Sequence, residues 1–163
     1  MTNYTATLQI QDANGEYRIA TPEEILSAAR TTLNRRFRRG KALTSPNHSK
    51  DYLQVQLGPL EHEVFAILWL DNRNQILEFE TLFRGTIDGA SVHPREVVKA
   101  ALQHGAAACI LAHNHPSGIS DPSEADKRIT TRLRDALSLI EVRVLDHVII
   151  GQTCTSLAEL GLI

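Results

Sequence analysis

A chain of 163 residues, 42% hydrophobic and 22% charged, can bury one ordinary core beside a small attachment, which excludes a disordered or fibrous polymer. A formal net charge of −2 excludes a global pull toward nucleic acid or anionic lipid. Two widely spaced cysteines, Cys109 and Cys154, argue against a disulfide scaffold or a thiolate zinc knot; with no basic-then-apolar leader and no apolar run near the ~20 residues of a membrane span, the chain reads as cytoplasmic.

Residues 5–20 read as a hairpin. Ala6, Leu8 and Ile10 alternate, Asn14-Gly15 supplies the turn, and Tyr17 and Ile19 resume the alternation. Thr21-Pro-Glu-Glu24 is a helix start, with Thr21 as N-cap, proline in the first turn and glutamate three residues after the cap. Ile25, Ala29, Leu33 and Phe37 recur at helical spacing as far as Gly40, and the last turns carry Arg30, Arg35, Arg36, Arg38 and Arg39. Residues 41–50 read as a linker, with a weak short helix over 51–57 after it.

Val64–Leu70 is an unbroken apolar run, as a strand covered on both faces would be. Asp71-Asn-Arg-Asn74 makes a turn, and Ile76–Phe83 is a second strand that pairs back antiparallel. Pro94 opens a helix through Val97, Val98, Ala101 and Leu102 that ends at Gly105. Ala106–Ala112 is a short strand, Asp121 to about Ile140 a helix striped by Ile129, Leu133, Leu137 and Ile140, and Val142–Ile150 another strand. Cys154–Ile163 closes with a brief strand and a short helix. This order predicts an α/β fold, a mixed sheet with helices packed against it.

The chemistry is concentrated in Leu111-Ala-His-Asn-His-Pro-Ser-Gly-Ile-Ser-Asp-Pro-Ser-Glu-Ala-Asp126. Residues two apart on a strand point to one face, so His113 and His115 aim both imidazoles one way and Asn114 the other. Pro116 ends pairing and Ser117-Gly118 turns the chain. Asp121, Pro122 and Glu124 supply an N-cap, a first-turn proline and a capping-box glutamate, which leaves Asp126 unneeded as a cap. Ser123 and Asp126 lie three apart and share a helical face. An isolated His-x-His is an ordinary surface pair, and an isolated Ser-x-x-Asp an ordinary helix start. Their succession after an apolar strand points to metal. Two neutral imidazoles and a carboxylate give three ligands to a tetrahedral Zn2+ and keep the fourth position for water. Such a site needs a general base, usually a glutamate, and Ser123 is placed to donate to a developing oxyanion. Imidazole and carboxylate donors favour zinc over magnesium or calcium. A zinc deaminase is excluded by the missing H-x-E and P-C-x-x-C signatures.

His113-Asn-His115-Pro116 followed by Ser123-x-x-Asp126 resembles the JAMM signature of the JAB/MPN metalloproteases. Longer stretches are similar to the bacterial RadC branch, long labelled as DNA repair proteins. They are Leu70-Asp-Asn-Arg-Asn74, Leu82-Phe-Arg-Gly-Thr-Ile87, Ser91-Val-His-Pro-Arg-Glu-Val-Val-Lys-Ala100, Ala112-His-Asn-His-Pro-Ser-Gly118 and Val142-Arg-Val-Leu-Asp-His-Val-Ile-Ile-Gly151. The resemblance covers residues 50–163. It implies a deaminase-like JAB/MPN fold over 46–163, preceded by a hairpin and basic-helix extension over 1–45. It implies zinc on His113, His115 and Asp126 with Ser123 assisting, and a catalytic glutamate at the start of the first core strand. Glu63 is favoured there because it abuts the buried run; Glu61 is the rival, two residues back on the same strand face. The implied activity is cleavage of a peptide or isopeptide bond, with a peptide or protein as substrate. The alternative is a DNA-associated RadC-type module whose JAB domain is a metal-stabilised, non-proteolytic platform. Its nucleic-acid contact would be the arginine cluster, although cations are favoured at a helix C-terminus in any case.

The remaining histidines and cysteines carry less. His93 reads as a cap or packing residue, His147 as a hydrogen-bonded structural histidine within a strand, and His48, His62 and His104 as surface groups. Cys109 reads as a buried thiol, and nothing in the spacing places Cys154.

Overall fold

The computed structural model describes residues 7–36, 42–43, 45–85 and 92–163. The chain divides into two compact units, Met1–Arg36 and Phe37–Ile163.

In the first unit β1 (Gln9–Gln11) pairs antiparallel with β2 (Tyr17–Ile19), and α1 (Pro22–Arg36) follows. The turn is set by Asp12, whose carboxylate accepts from the amides of Asn14 at 2.8 Å and Glu16 at 3.0 Å while Gly15 takes a φ of 85°. The expected capping box is present: the Glu24 amide donates to the Thr21 hydroxyl at 3.3 Å, and the Thr21 amide to the Glu24 carboxylate at 2.9 Å. The expected helix residues Phe37 to Gly40, with Arg38 and Arg39 of the basic cluster, lie outside the described residues, as does Ala6 of the hairpin.

The second unit is a five-stranded sheet in the order β4-β3-β5-β6-β7, built from β3 (Val64–Leu70), β4 (Ile76–Arg84), β5 (Ala108–Asn114), β6 (Arg143–Ile150) and β7 (Cys154–Ser156). β5 and β6 run parallel and every other pair is antiparallel. The parallel pair is joined through α4 (Glu124–Ser138), because a parallel strand can be reached only by a crossover. All seven residues of β3 and all seven of β5 are buried, which is why their sequences are apolar runs and not alternations. Phe65, Ile67, Trp69, Cys109 and Leu111 share one core with Val97 and Ala101 of α3 (Pro94–His104) and Ile129, Leu133 and Leu137 of α4. α2 (Pro46–Leu57) also packs against β5 and β6.

Four boundaries depart from the sequence reading. α2 begins at Pro46, inside the expected linker: Ser45 caps it by accepting from the His48 amide, proline occupies the first turn, and Ser49, Tyr52, Leu53 and Leu57 are buried. The polar run Asn47-His-Ser-Lys50 hid that face. β5 ends at Asn114, not Ala112, so His113 lies within the sheet, paired with Phe65 on one side and Ile149 on the other. The amides of Ala106 and Ala107 are spent on the α3 terminus and on Leu70. The N-cap of α4 is Ser123, not Asp121, and Asp126 completes its capping box. Beyond β7, Leu157–Gly161 forms hydrogen-bonded turns, not a helix; Gly161, at a φ of 70°, ends a segment too short to propagate one.

Candidate metal centre

The site lies where the carboxyl ends of two parallel strands meet the N-terminus of the crossover helix. His113 is the penultimate residue of β5 and is fully buried. His115 stands just past the strand end, its amide bonded to the Ile150 carbonyl at 2.8 Å. The chain then turns through Gly118, at a φ of 84°, whose amide returns to the His115 carbonyl at 2.9 Å. Gly151 lets this turn approach: a Cβ there would stand 2.4 Å from the Gly118 carbonyl oxygen. α4 then presents Asp126, 1% exposed, to the two imidazoles.

The three side chains meet closely. The Nε2 atoms of His113 and His115 are 2.9 Å apart. Asp126 Oδ1 is 3.2 Å from His113 Nε2, and Oδ2 is 3.9 Å from His115 Nε2. The carboxylate performs both tasks that the sequence had set against each other. Oδ2 accepts from the amide and the hydroxyl of Ser123, each at 2.7 Å, while Oδ1 faces His113. Burial pushes the Asp126 carboxyl up, but the His113 ring beside it and the two Ser123 donors outweigh that and hold the group well below the usual carboxylate range.

Which ring nitrogens carry protons follows from the partners. His115 Nδ1 lies 2.7 Å from the Ile119 carbonyl, which can only accept, so Nδ1 holds the proton and Nε2 a lone pair. For His113 the chain is longer. The Thr130 hydroxyl donates its one proton to the Asp126 backbone carbonyl at 2.5 Å and therefore accepts from His147 Nδ1 at 2.6 Å. His147 is fully buried, and burial pushes it well below its ordinary value, which favours the neutral ring. Its Nε2 then accepts from His113 Nδ1 at 2.8 Å, leaving His113 Nε2 bare as well. With each ring singly protonated, two lone pairs face each other beside a carboxylate, a donor set that could hold a metal ion. The donors fit zinc: bonds of about 2.0–2.1 Å in a tetrahedron set ligand atoms about 3.3 Å apart, close to the 2.9 and 3.2 Å found.

Glu63 precedes β3. Its carboxylate and the two imidazoles bring ligand atoms within 4.8 Å of one another, so Glu63, like Asp126, could join the two histidines around a metal ion. Asn114, which points away from the histidines, fixes this approach. It accepts from the Val64 amide at 2.8 Å and donates to the carbonyls of Leu60 and His62 at 3.2 and 3.0 Å, clamping the chain on both sides of Glu63. Glu61 instead lines a hollow of about 610 Å3 with His115, Pro116 and Gln152.

Sequence reasoning missed three contributors: Asn114, Thr130 and the bonding of His147 to His113. The available signal was the polar pair Asp146-His147 inside an otherwise apolar strand that runs parallel to the one carrying His113. His104 is not a free surface group; its ring bonds Glu80 at 3.0 Å, and Trp69 Nε1 donates to the same oxygen at 3.0 Å. His93 precedes α3 without a side-chain cap bond and packs edgewise on Phe83. Cys109 is buried, its thiol pushed up to about 12, and Cys154 bonds Gln54 of α2 at 2.7 Å.

A family model described as a RadC-like JAB domain matches residues 43–162. The chain belongs to that family. A UPF0758 protein of Vibrio cholerae serotype O1 is 59% identical over 138 residues, covering 85% of this chain and 88% of that protein. UPF0758 proteins of Thioalkalivibrio sulfidiphilus and Nitrosococcus oceani are 54% and 56% identical over 149 and 139 residues. The alignments take in 91% and 85% of this chain but 67% and 62% of those longer proteins. The JAB match thus contains every residue of the candidate centre, and the whole of the first unit precedes it. Among the described residues, no helix is long and apolar enough to cross a membrane.

Proposed function

We propose that this RadC-like JAB domain is a zinc-dependent hydrolase of amide bonds, of peptidase or isopeptidase type, acting on a peptide or protein. The observation that carries the reading is the pair of imidazole Nε2 atoms, 2.9 Å apart, closed by the buried Asp126 carboxylate. His113, His115 and Asp126 would hold the ion. Zinc bound there lowers the pKa of water from ~15.7 toward ~7 and polarises a carbonyl. Glu63, whose carboxylate lies within 4.8 Å of both imidazoles, would serve as the base that takes a proton from water and delivers it to the leaving amine. Asn114 holds the backbone on both sides of that base. Ser123 orients Asp126 and, once its hydroxyl proton turns from the carboxylate to substrate, supports the oxyanion.

Two variants of the full chain separate the roles. Glu63→Gln is expected to keep zinc and lose about 10²- to 10⁴-fold in hydrolysis of peptide and isopeptide substrates, the usual worth of a positioned base. Asp126→Ala is expected to lose both. Unchanged zinc content in Asp126→Ala, or unchanged turnover in Glu63→Gln, would overturn the assignment.

A further inference from the structure

His113 has two ring nitrogens, and only the one bearing a lone pair can hold an ion. A free neutral imidazole exchanges its proton between them. In the sheet that choice is imposed. β6 lies beside β5 with Leu111 opposite His147, which brings the His147 ring 4.9 Å from that of His113 and 5.6 Å from Phe65. One turn beyond Asp126 on α4, Thr130 reaches His147 from the other side. His147 and Thr130 are 0% and 1% exposed, so water does not substitute for either bond.

We propose that His147 and Thr130 are positioning residues for the metal centre, forming a one-way hydrogen-bond relay from His113 Nδ1 to the Asp126 backbone carbonyl that presents His113 Nε2 to the ion. The inference deepens the zinc reading above and rests on it. A carbonyl cannot donate, so the Thr130 hydroxyl gives its proton to Asp126 and accepts from His147 Nδ1, and a singly protonated His147 ring then accepts at Nε2 from His113 Nδ1. Reversing the relay would place a proton on His113 Nε2, where the ion must bind. The relay also ends on the residue whose carboxylate faces the same ion, so two ligands from different elements are set by one closed ring of contacts. His115 is set separately, by the Ile119 carbonyl. Outer partners of ligating histidines carry about 10- to 100-fold in metal affinity, and that is the scale expected here.

The test uses the full chain and zinc alone, with affinity read by competition against a chelator. Thr130→Val, which removes the acceptor, is expected to weaken zinc by about 10- to 100-fold, and Thr130→Ser, which keeps the hydroxyl, to restore it. His147→Leu should weaken zinc likewise, and His147→Gln, whose amide can accept from His113 and donate to Thr130, should recover most of the loss. Nitrogen-15 NMR of the histidine rings in metal-free wild type, two pH units above the usual imidazole pKa of about 6.5, should show His113 protonated on Nδ1. In Thr130→Val that signature should give way to a mixture, which a merely structural role would not produce. Wild-type zinc affinity in both Thr130→Val and His147→Leu, or a wild-type His113 protonated on Nε2, overturns the relay. A wild type that binds no zinc overturns the hydrolase reading instead, and the NMR result then decides the relay by itself.

Discussion

The hairpin-and-helix unit and the sheet unit both show apolar residues at regular spacing, yet they use them differently. In the first, Leu8, Tyr17 and Ile19 are 52%, 70% and 66% exposed, and local order comes from polar bonds: the Asp12 turn, the Thr21 box and the Arg18–Glu24 pair. In the second, the runs of β3 and β5 are wholly covered and the polar groups among them are paired. Periodicity therefore reports the shape of a segment but not whether anything lies against it. The candidate metal centre belongs to the second kind of region: His113 and Asp126 are buried within it, 0% and 1% exposed, and are held by paired polar groups.

That contrast is broken most directly by truncating one apolar side chain in each unit. Leu111→Ala, in the fully buried β5, is expected to cost about 2–5 kcal/mol in denaturant unfolding, whereas Ile19→Ala should stay within about 0.5 kcal/mol. Equal costs would erase the distinction. Asn114→Ala comes next. It leaves the Val64 amide and the Leu60 and His62 carbonyls without their partner, at about 1–3 kcal/mol. It should lower turnover more than zinc affinity, because it loosens the base and not the ligands; the reverse order would place Asn114 with the ligands.

The smallest effect lies in the first unit. The hydrogen bond from Arg18, followed by the Thr21 amide, lowers the Glu24 carboxyl from 4.5 to about 2. A carboxyl lowered on folding contributes its stability above the unfolded value and loses it as pH falls through the folded one. The pair should therefore weaken between about pH 4.5 and 2, observed as the NMR titration of Glu24 in the folded chain. A midpoint near 4.5 would show the pair to be open in solution. The pair lies at the surface, its side chains 49% and 36% exposed, so the consequence for global stability is slight.

What could be read from the sequence follows the same division. The apolar runs at 64–70 and 106–112 and the helical stripe from Ile129 to Leu137 declared the sheet and its crossover helix, because burial on both faces leaves no polar residue to blur them. His113, His115, Ser123 and Asp126 were singled out because their spacing matches a recognisable motif, while their convergence depends on how α4 faces the end of β5, which no period encodes. α2 was half lost, since its buried Ser49 and Tyr52 sit among polar neighbours. Asp126 was argued to be unneeded as a cap, whereas its two oxygens let it cap and face His113 together. The relay could not be read at all: it joins β5, β6 and α4 through contacts 17 and 34 residues apart, and no local spacing encodes a strand register.

The convergence of two bare imidazoles and Asp126 on one cation is tested most directly by zinc K-edge X-ray absorption on the zinc-loaded full chain. The account expects two imidazoles and oxygen donors at about 2.0–2.1 Å, with no sulfur near 2.3 Å, and loss of that signature in Asp126→Ala. A bound zinc with fewer than two imidazoles, or a coordination shell unchanged in Asp126→Ala, would contradict it.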